Sequence, residues 1–163
     1  EKVKRKGSWV MEKGILSGVP TEGQKHSPVA HISHAFEDGV IQYEVRMDDT
    51  KVSQMMFDDE KRDHKMRLVL FSNGKILITA GSNKNKTLKN VGKTKSVEPL
   101  NNTEWYRVTL EFKGANVAVH VNGKVVFNKK VNDDFATSKS IIAFTMKGKA
   151  SFRNVKYWSG NPK

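Results

Sequence analysis

A short period-two alternation of apolar and polar residues recurs along this chain and restricts it to β structure. Within Gly39–Arg46, every second residue from Ile41 is apolar, whereas Gln42, Glu44 and Arg46 are polar. Such a period places successive side chains on opposite faces of a half-buried strand. No segment has a sustained helical period, and turn signals recur about every 8–12 residues. The pattern predicts an all-β fold, an antiparallel two-sheet β-sandwich of jelly-roll type, with a closed barrel as the alternative.

Asn-Gly pairs give the strongest turn signals. Asn73-Gly74 separates two alternating segments, and Asn122-Gly123 separates two more. Both pairs readily adopt the positive φ angles of a tight primed turn, so we expect a β-hairpin at each. A third hairpin is expected at Lys13-Gly14. Near Arg153-Asn154 the alternation breaks, which predicts a β-bulge.

The length, cysteine content and net charge of the chain limit the class of protein. A chain of 163 residues fits a single domain over residues 1–163. It contains no cysteine, which excludes a disulfide scaffold, and no apolar run long enough for a membrane-spanning helix. The net charge of +12 favours an anionic partner such as an acidic glycan, or else serves only solubility. The basic segment Gly81–Val97 lacks interleaved aromatic residues, so a nucleic-acid partner is disfavoured; the segment is expected to be a long loop or a ragged edge strand.

Carboxylates and histidines are the candidate catalytic groups. Glu44 lies on the polar side of its strand, and Asp58 ends the next alternating segment. If the two strands are neighbours, the carboxyl groups would share a groove, as in glycosidases, where about 5–9.5 Å separates the pair. The alternative is a charged turn and a surface glutamate. His26 and His64 are candidate sugar contacts or bases, but the five histidines lack the spacing of metal ligands and would otherwise be isolated surface residues.

Two further features bear on ligands. Trp105 falls on the polar side of its strand and is the best candidate for stacking against a sugar ring. Pairs of aspartates supply oxygen atoms for a calcium ion, although no loop has EF-hand spacing and no metal ligand is assigned. These pairs are Asp48-Asp49, Asp58-Asp59 and Asp133-Asp134.

An ordered series of short motifs, covering about residues 7–159, identifies a family resemblance. The series is Trp9, Gly14-Ile15-Leu16, His26, Gly39–Arg46, Asp58-Asp59, His64, Arg67, Trp105-Tyr106, Asn122-Gly123-Lys124 and Ala150–Lys156. It resembles the concanavalin A-like lectin/glucanase jelly roll and is most similar to the 3-keto-disaccharide hydrolase domain family. The resemblance implies a secreted or periplasmic location, two curved sheets and a concave face that meets a saccharide. The chain lacks the Glu-x-Asp-x-x-Glu strand of laminarinase-type glucanases.

Two hypotheses for function follow. In the first, the domain is a glycoside hydrolase-like enzyme in which three residues transfer protons and others contact substrate. The proposed catalytic residues are Glu44, Asp58 and His64, and the proposed substrate-binding residues are His26, Gln42, Arg46, Gln54, Arg67 and Trp105. In the second, the domain is a non-catalytic carbohydrate-binding module for an acidic polysaccharide, using Gln42, Gln54, Trp105 and the basic segment 83–97. The sequence leaves both open, together with the sugar, the cofactor and the oligomeric state.

Overall fold

The strands form two antiparallel sheets, with seven strands in each sheet within the described residues. The computed structural model describes residues 3–95, 98–131, 133–136 and 138–160, and the side chains of residues 3–6, 95 and 134 lie outside this description. The ends of the predicted domain and residues 96 and 97 of the basic segment are likewise outside the described residues.

The two sheets are named A and B, and the strands of each are given in order from one edge to the other. Across sheet A the order is β1 (Val3–Lys6), β4 (Val29–Phe36), β13 (Lys139–Met146), β6 (Val52–Asp58), β7 (His64–Phe71), β8 (Lys75–Ala80) and β9 (Lys89–Lys95). Across sheet B it is β12 (Lys124–Lys130), β11 (Asn116–Val121), β10 (Tyr106–Lys113), β5 (Gly39–Arg46), β14 (Ala150–Ser159), β3 (Ile15–Val19) and β2 (Ser8–Glu12). The predicted two-sheet sandwich is confirmed, and the barrel alternative is wrong because neither sheet, as far as the chain is described, closes on itself.

The three expected hairpins are present. β7 pairs with β8, β11 with β12 and β2 with β3. Asn122 and Gly123 both have positive φ angles, 48° and 80°, as a primed turn requires, whereas at Asn73-Gly74 only Gly74 does, with a φ of 80°. The primed turn is therefore confirmed at the second pair and wrong at the first. The bulge near Arg153 is also confirmed, because the register of β14 against β5 shifts between Arg153 and Lys156.

The core lies between the sheets and explains which residues face outward. Ile41, Tyr43 and Val45 of β5 are buried there, as are Met55 and Phe57 of β6. Because strand side chains alternate, the residues between them face away from the core. Gln42, Glu44 and Arg46 of β5 and Gln54 of β6 therefore lie on the outer faces of the sandwich.

Two strands extend the sheet beyond the alternating segments. β4 continues to Phe36, whose ring packs against those of Phe57 and Tyr157. Part of the basic segment forms the edge strand β9, whose register against β8 shifts between Ile78 and Thr79. The interpretation as a ragged edge strand is therefore confirmed.

β5 and β6 lie in different sheets, so the condition under which Glu44 and Asp58 would share a groove is not met. The chain crosses from sheet B to sheet A at a turn in which the Thr50 amide donates to the Met47 carbonyl at 2.7 Å. Asp48 has a positive φ of 47° there, and the Asp49 amide donates to the Lys149 carbonyl at the adjacent crossing from β13 to β14. Alternation shows which side of each strand is buried. It does not show to which sheet the strand belongs, because strands of both sheets alternate in the same way.

Gly39→Ala is expected to lower the free energy of unfolding by about 1–3 kcal/mol. A Cβ at this position would collide with the Trp158 carbonyl oxygen and would lie 2.7 Å from Cε2 of Tyr157. Gly14→Ala is the control, since Gly14 also has a positive φ but no described atom lies within 4 Å of the place that its Cβ would take. Denaturant unfolding of both variants would measure the difference, and equal losses would show that the steric contact at residue 39 is unimportant.

Candidate functional site

A histidine and a buried carboxylate meet where β6 ends and β7 begins. His64 Nδ1 lies 2.7 Å from Asp58 Oδ1, and the side chain of Asp58 is 5% exposed whereas that of His64 is 30% exposed. A carboxylate only accepts hydrogen bonds, so Nδ1–H donates and Nε2 of the neutral ring carries the lone pair. The pair therefore presents an oriented imidazole that is able to accept a proton.

The turn between these strands is held by a second buried carboxylate. Asp63 accepts hydrogen bonds from Ser82 Oγ at 2.5 Å, the Lys84 amide at 2.8 Å and Lys65 Nζ at 3.0 Å. Burial opposes ionisation of Asp63, but these hydrogen bonds outweigh it and lower its pKa to about 2. The Asp63 amide also donates to Asp59 Oδ1 at 2.9 Å. This network ties the turn to the segment after β8 and restricts the position of His64.

Unsatisfied polar atoms lie on the same outer face of sheet A. Arg67 pairs across the strands with Met56 on one side and Thr79 on the other. Arg67 Nε and Thr79 Oγ1 are buried and have no hydrogen-bond partner among the described residues, and the same holds for Thr145 Oγ1, which lies beside Gln54. Buried polar atoms are normally paired, so this cluster favours a ligand that carries oxygen atoms.

A separate polar cleft of about 510 Å³ lies on the outer face of sheet B. Glu44 Oε2 there accepts from Arg153 Nε at 2.6 Å and Asn154 Nδ2 at 3.1 Å. The hydrogen bond from Arg153 is the main reason that the pKa of Glu44 is lowered. The residues lining the cleft are Gln42, Glu44, Trp105, Arg107, Thr109, Asn122, Gly123 and Arg153.

The sandwich divides the predicted site residues into two groups. Gln54, Asp58, His64 and Arg67 lie on sheet A, whereas Gln42, Glu44, Arg46 and Trp105 belong to the outer side of sheet B or its margin. The expected shared groove for Glu44 and Asp58 is therefore wrong, because their strands lie in different sheets. His26 lies exposed in the loop between β3 and β4.

Trp105 and Arg46 have protein partners. The guanidinium carbon of Arg153 lies 4.1 Å from the centre of the Trp105 ring, and that of Arg46 lies 4.9 Å from it. Arg46 Nε also donates to Asp48 Oδ1 at 2.6 Å. The ring is thus engaged by two cations and is less open to sugar stacking than the sequence suggests.

Several residues of these two sites could not be identified as functional from the sequence. Asp63 is one of many acidic residues in a charged turn, and Thr79 and Thr145 are ordinary strand residues. Arg153 and Asn154 were signalled only by the break in alternation, which predicts a bulge but not the contact with Glu44. Only the cross-strand register identifies their partners.

The aspartate pairs considered for calcium have other partners. Asp48 accepts from Ser151 Oγ at 2.7 Å, and Asp49 accepts from the Lys149 amide. Within the described residues, no group of three or more histidine, aspartate or glutamate side chains is arranged to hold a metal ion. The side chain of Asp134 lies outside the described residues. No helix in the described part of the chain is long and apolar enough to cross a membrane.

The two antiparallel sheets define a concanavalin A-like jelly-roll domain. The sequence model of the 3-keto-alpha-glucoside-1,2-lyase-like domain matches residues 1–157, and the chain belongs to this family. The resemblance found in the sequence motifs is thereby confirmed. No curated protein sequence matches the chain.

Solved structures support the architecture. Carbohydrate-binding module CBM66 from Bacillus subtilis has a TM-score of 0.75 and 13% identity, covering 96% of this chain and 95% of that one. A sialidase has a TM-score of 0.69 and 16% identity, and the match covers 95% of this chain but 16% of the sialidase chain. A tetrameric galectin from the ball sponge Cinachyrella sp. has a TM-score of 0.65 and 9% identity, covering 80% and 99%. At these identities the likeness shows the fold alone.

Proposed function

We propose that the domain cleaves 3-keto-glucosides on the outer face of sheet A, with His64 as the general base. The observation that carries this proposal is the 2.7 Å contact between His64 Nδ1 and the buried Asp58 carboxylate. The contact orients the ring and would stabilise the imidazolium that forms when Nε2 takes a proton. The description of the family supplies the substrate class.

The chemistry of such a substrate suits a single base. A ketone at C3 acidifies the hydrogen on C2, so His64 Nε2 removes that proton and the electron pair passes to the C3 oxygen as an enolate. The pair then returns to form the C1–C2 double bond as the C1–oxygen bond breaks. The departing alkoxide takes the proton from the imidazolium, which leaves the enzyme unchanged. Addition of water to the double bond would complete net hydrolysis.

The unsatisfied polar atoms provide the remaining groups. Arg67 is a cation whose buried Nε has no partner among the described residues, so it would stabilise the developing charge on the C3 oxygen. Thr79 Oγ1, beside Arg67, and Gln54 would contact sugar hydroxyls. This arrangement does not need the paired carboxylates of an ordinary glycosidase, which agrees with the separation of Glu44 from Asp58 by the sandwich.

The test uses methyl 3-keto-α-glucopyranoside in deuterated buffer. We expect the protein to catalyse deuterium incorporation at C2 and release of methanol, both followed by NMR, and to leave methyl α-glucopyranoside unchanged because its C2 hydrogen is not acidic. Buffer alone gives the uncatalysed rate. Binding of the keto-sugar without exchange or release would overturn the catalytic proposal and support the non-catalytic module instead.

A further inference from the structure

The cleft on sheet B has the size and rigidity of a ligand site that is separate from the His64 face. Its volume of about 510 Å³ lies within the range of small-molecule pockets, about 300–1,000 Å³. Its floor consists of neighbouring strands, because β5 pairs with β10 on one side and with β14 on the other. Side chains on paired strands are held more precisely than side chains on loops.

The glutamate of the cleft is held in place by one of its two oxygens. Oε2 of Glu44 receives Arg153 Nε and Asn154 Nδ2, and the bulge that gives Asn154 a φ of 53° accompanies the second contact. Oε1 lies 3.7 Å from Arg107 Nη2, which is beyond hydrogen-bonding distance. Glu44 therefore retains accepting capacity at Oε1 for a sugar hydroxyl.

Three arginines in or beside the cleft are engaged to different extents: Arg153 and Arg107 line it, whereas Arg46 lies beside Trp105 at its margin. Arg153 is paired with Glu44 at 2.6 Å, and Arg46 is paired with Asp48 at 2.6 Å. The guanidinium groups of both also lie over Trp105, which fixes them further. Arg107 is different, because its side chain is 59% exposed and its ion pair with Glu44 is long. Its planar guanidinium is therefore available for a bidentate contact with a carboxylate.

Polar groups beside Arg107 complete the site. Thr109 and Gln42 lie opposite each other on β10 and β5, with a long contact of 3.5 Å between Thr109 Oγ1 and Gln42 Oε1. Asn122 Oδ1 accepts from the Arg107 amide at 2.8 Å, which directs the asparagine towards the same margin. The cleft thus combines an available cation with hydroxyl and amide groups suited to sugar hydroxyls.

We propose that this cleft binds a hexuronate unit of an acidic saccharide, with Arg107 contacting the carboxylate and Glu44, Gln42 and Thr109 contacting hydroxyls. The site lies on the opposite sheet from Asp58 and His64, so the proposal is independent of turnover at His64. It gives the domain a second contact with glycan, which would hold an acidic polymer on one face while the other face acts on a keto-sugar.

The test is an NMR titration of the ¹⁵N-labelled chain with methyl β-glucuronide, compared with methyl β-glucoside. We expect the glucuronide to shift the amides of Thr109, Asn122 and Arg153, and Arg107→Gln to weaken binding about tenfold or more. Lys156→Gln is the matched control, since Lys156 is exposed on the same face, pairs in register with Gln42 and does not line the cleft. It should weaken binding less than about threefold, as expected for a solvent-screened surface charge that makes no contact with the ligand.

Other outcomes would overturn this proposal. Equal weakening by Arg107→Gln and Lys156→Gln would show that the protein attracts the glucuronide only through its net charge. Equal affinity for the neutral glucoside would remove the role of the carboxylate, and shifts confined to sheet A would place the sugar elsewhere. Thermal unfolding of both variants checks that each is folded, which the exposure of Arg107 leads us to expect.

Discussion

Replacing His64 by glutamine is expected to lower the rate of C2 exchange and methanol release from methyl 3-keto-α-glucopyranoside by about 10²–10⁴-fold. Glutamine occupies similar space but has no atom able to take the proton from C2. The Michaelis constant should change little, because the sugar would still contact Arg67 and Thr79. Initial rates measured over a range of substrate concentrations separate kcat from KM.

His120→Gln is the matched control, since His120 lies on sheet B, where its Nε2 is 3.1 Å from Glu111 Oε1. It should retain the activity of the parent protein. Asp58→Asn should lower kcat by a smaller factor than His64→Gln, because an amide no longer stabilises the imidazolium by charge. Equal rates for His64→Gln and His120→Gln would exclude His64 as the base.

Replacing Asp63 by alanine is expected to lower the free energy of unfolding by about 3–5 kcal/mol. The substitution removes the 3.0 Å partner of the Lys65 ammonium group, which keeps only Asp59 Oδ2 at 3.7 Å, and both Ser82 Oγ and the Lys84 amide lose their acceptor. Because this network holds the turn before His64, activity should fall as well. Urea unfolding of the variant gives the loss directly, and Asp133→Ala serves as control because the side chain of Asp133 is 80% exposed.

The pKa of Asp63 gives the same network a pH dependence. The pKa of Asp63 falls from 3.8 to about 2 on folding, which corresponds to about 2 kcal/mol of stability. A lowered carboxyl pKa stabilises the folded protein above the unfolded value, so this contribution is complete above about pH 4 to 5 and is lost as the pH falls towards 2. Asp63→Asn should remove this part of the acid-induced loss of stability. If Asp63→Asn left the loss of stability between pH 5 and pH 2 unchanged, on the scale of about 2 kcal/mol, the assignment would be contradicted.

The strands and turns of the fold can be predicted from local sequence patterns. Alternation over Gly39–Arg46 predicts a strand with one buried face, and both Asn-Gly pairs lie in the expected hairpins. Such signals depend on the conformational preferences of a few adjacent residues and on the alternation of apolar and polar residues, and both can be seen in the sequence. The bulge at Arg153 was predicted in the same way, from a break in that order.

The residues that make up the candidate sites could be predicted from the sequence only in part. The residues Asp58 and His64 were recognised individually as polar groups near a turn, and the structure shows them in contact at 2.7 Å. Glu44, expected beside them, instead bonds to Arg153, which is 109 residues later in the chain. No local sequence pattern predicts this partner, because the contact depends on which strand packs beside β5.

By itself, the order of residues determined that this chain folds into short antiparallel strands and which side of each strand meets the core, because alternation and turn chemistry act over a few residues. The assignment of β5 to one sheet and β6 to the other required packing across the whole molecule, since an apolar strand face is buried equally well in either sheet. That assignment separates Glu44 from His64 and divides one expected groove into two polar faces.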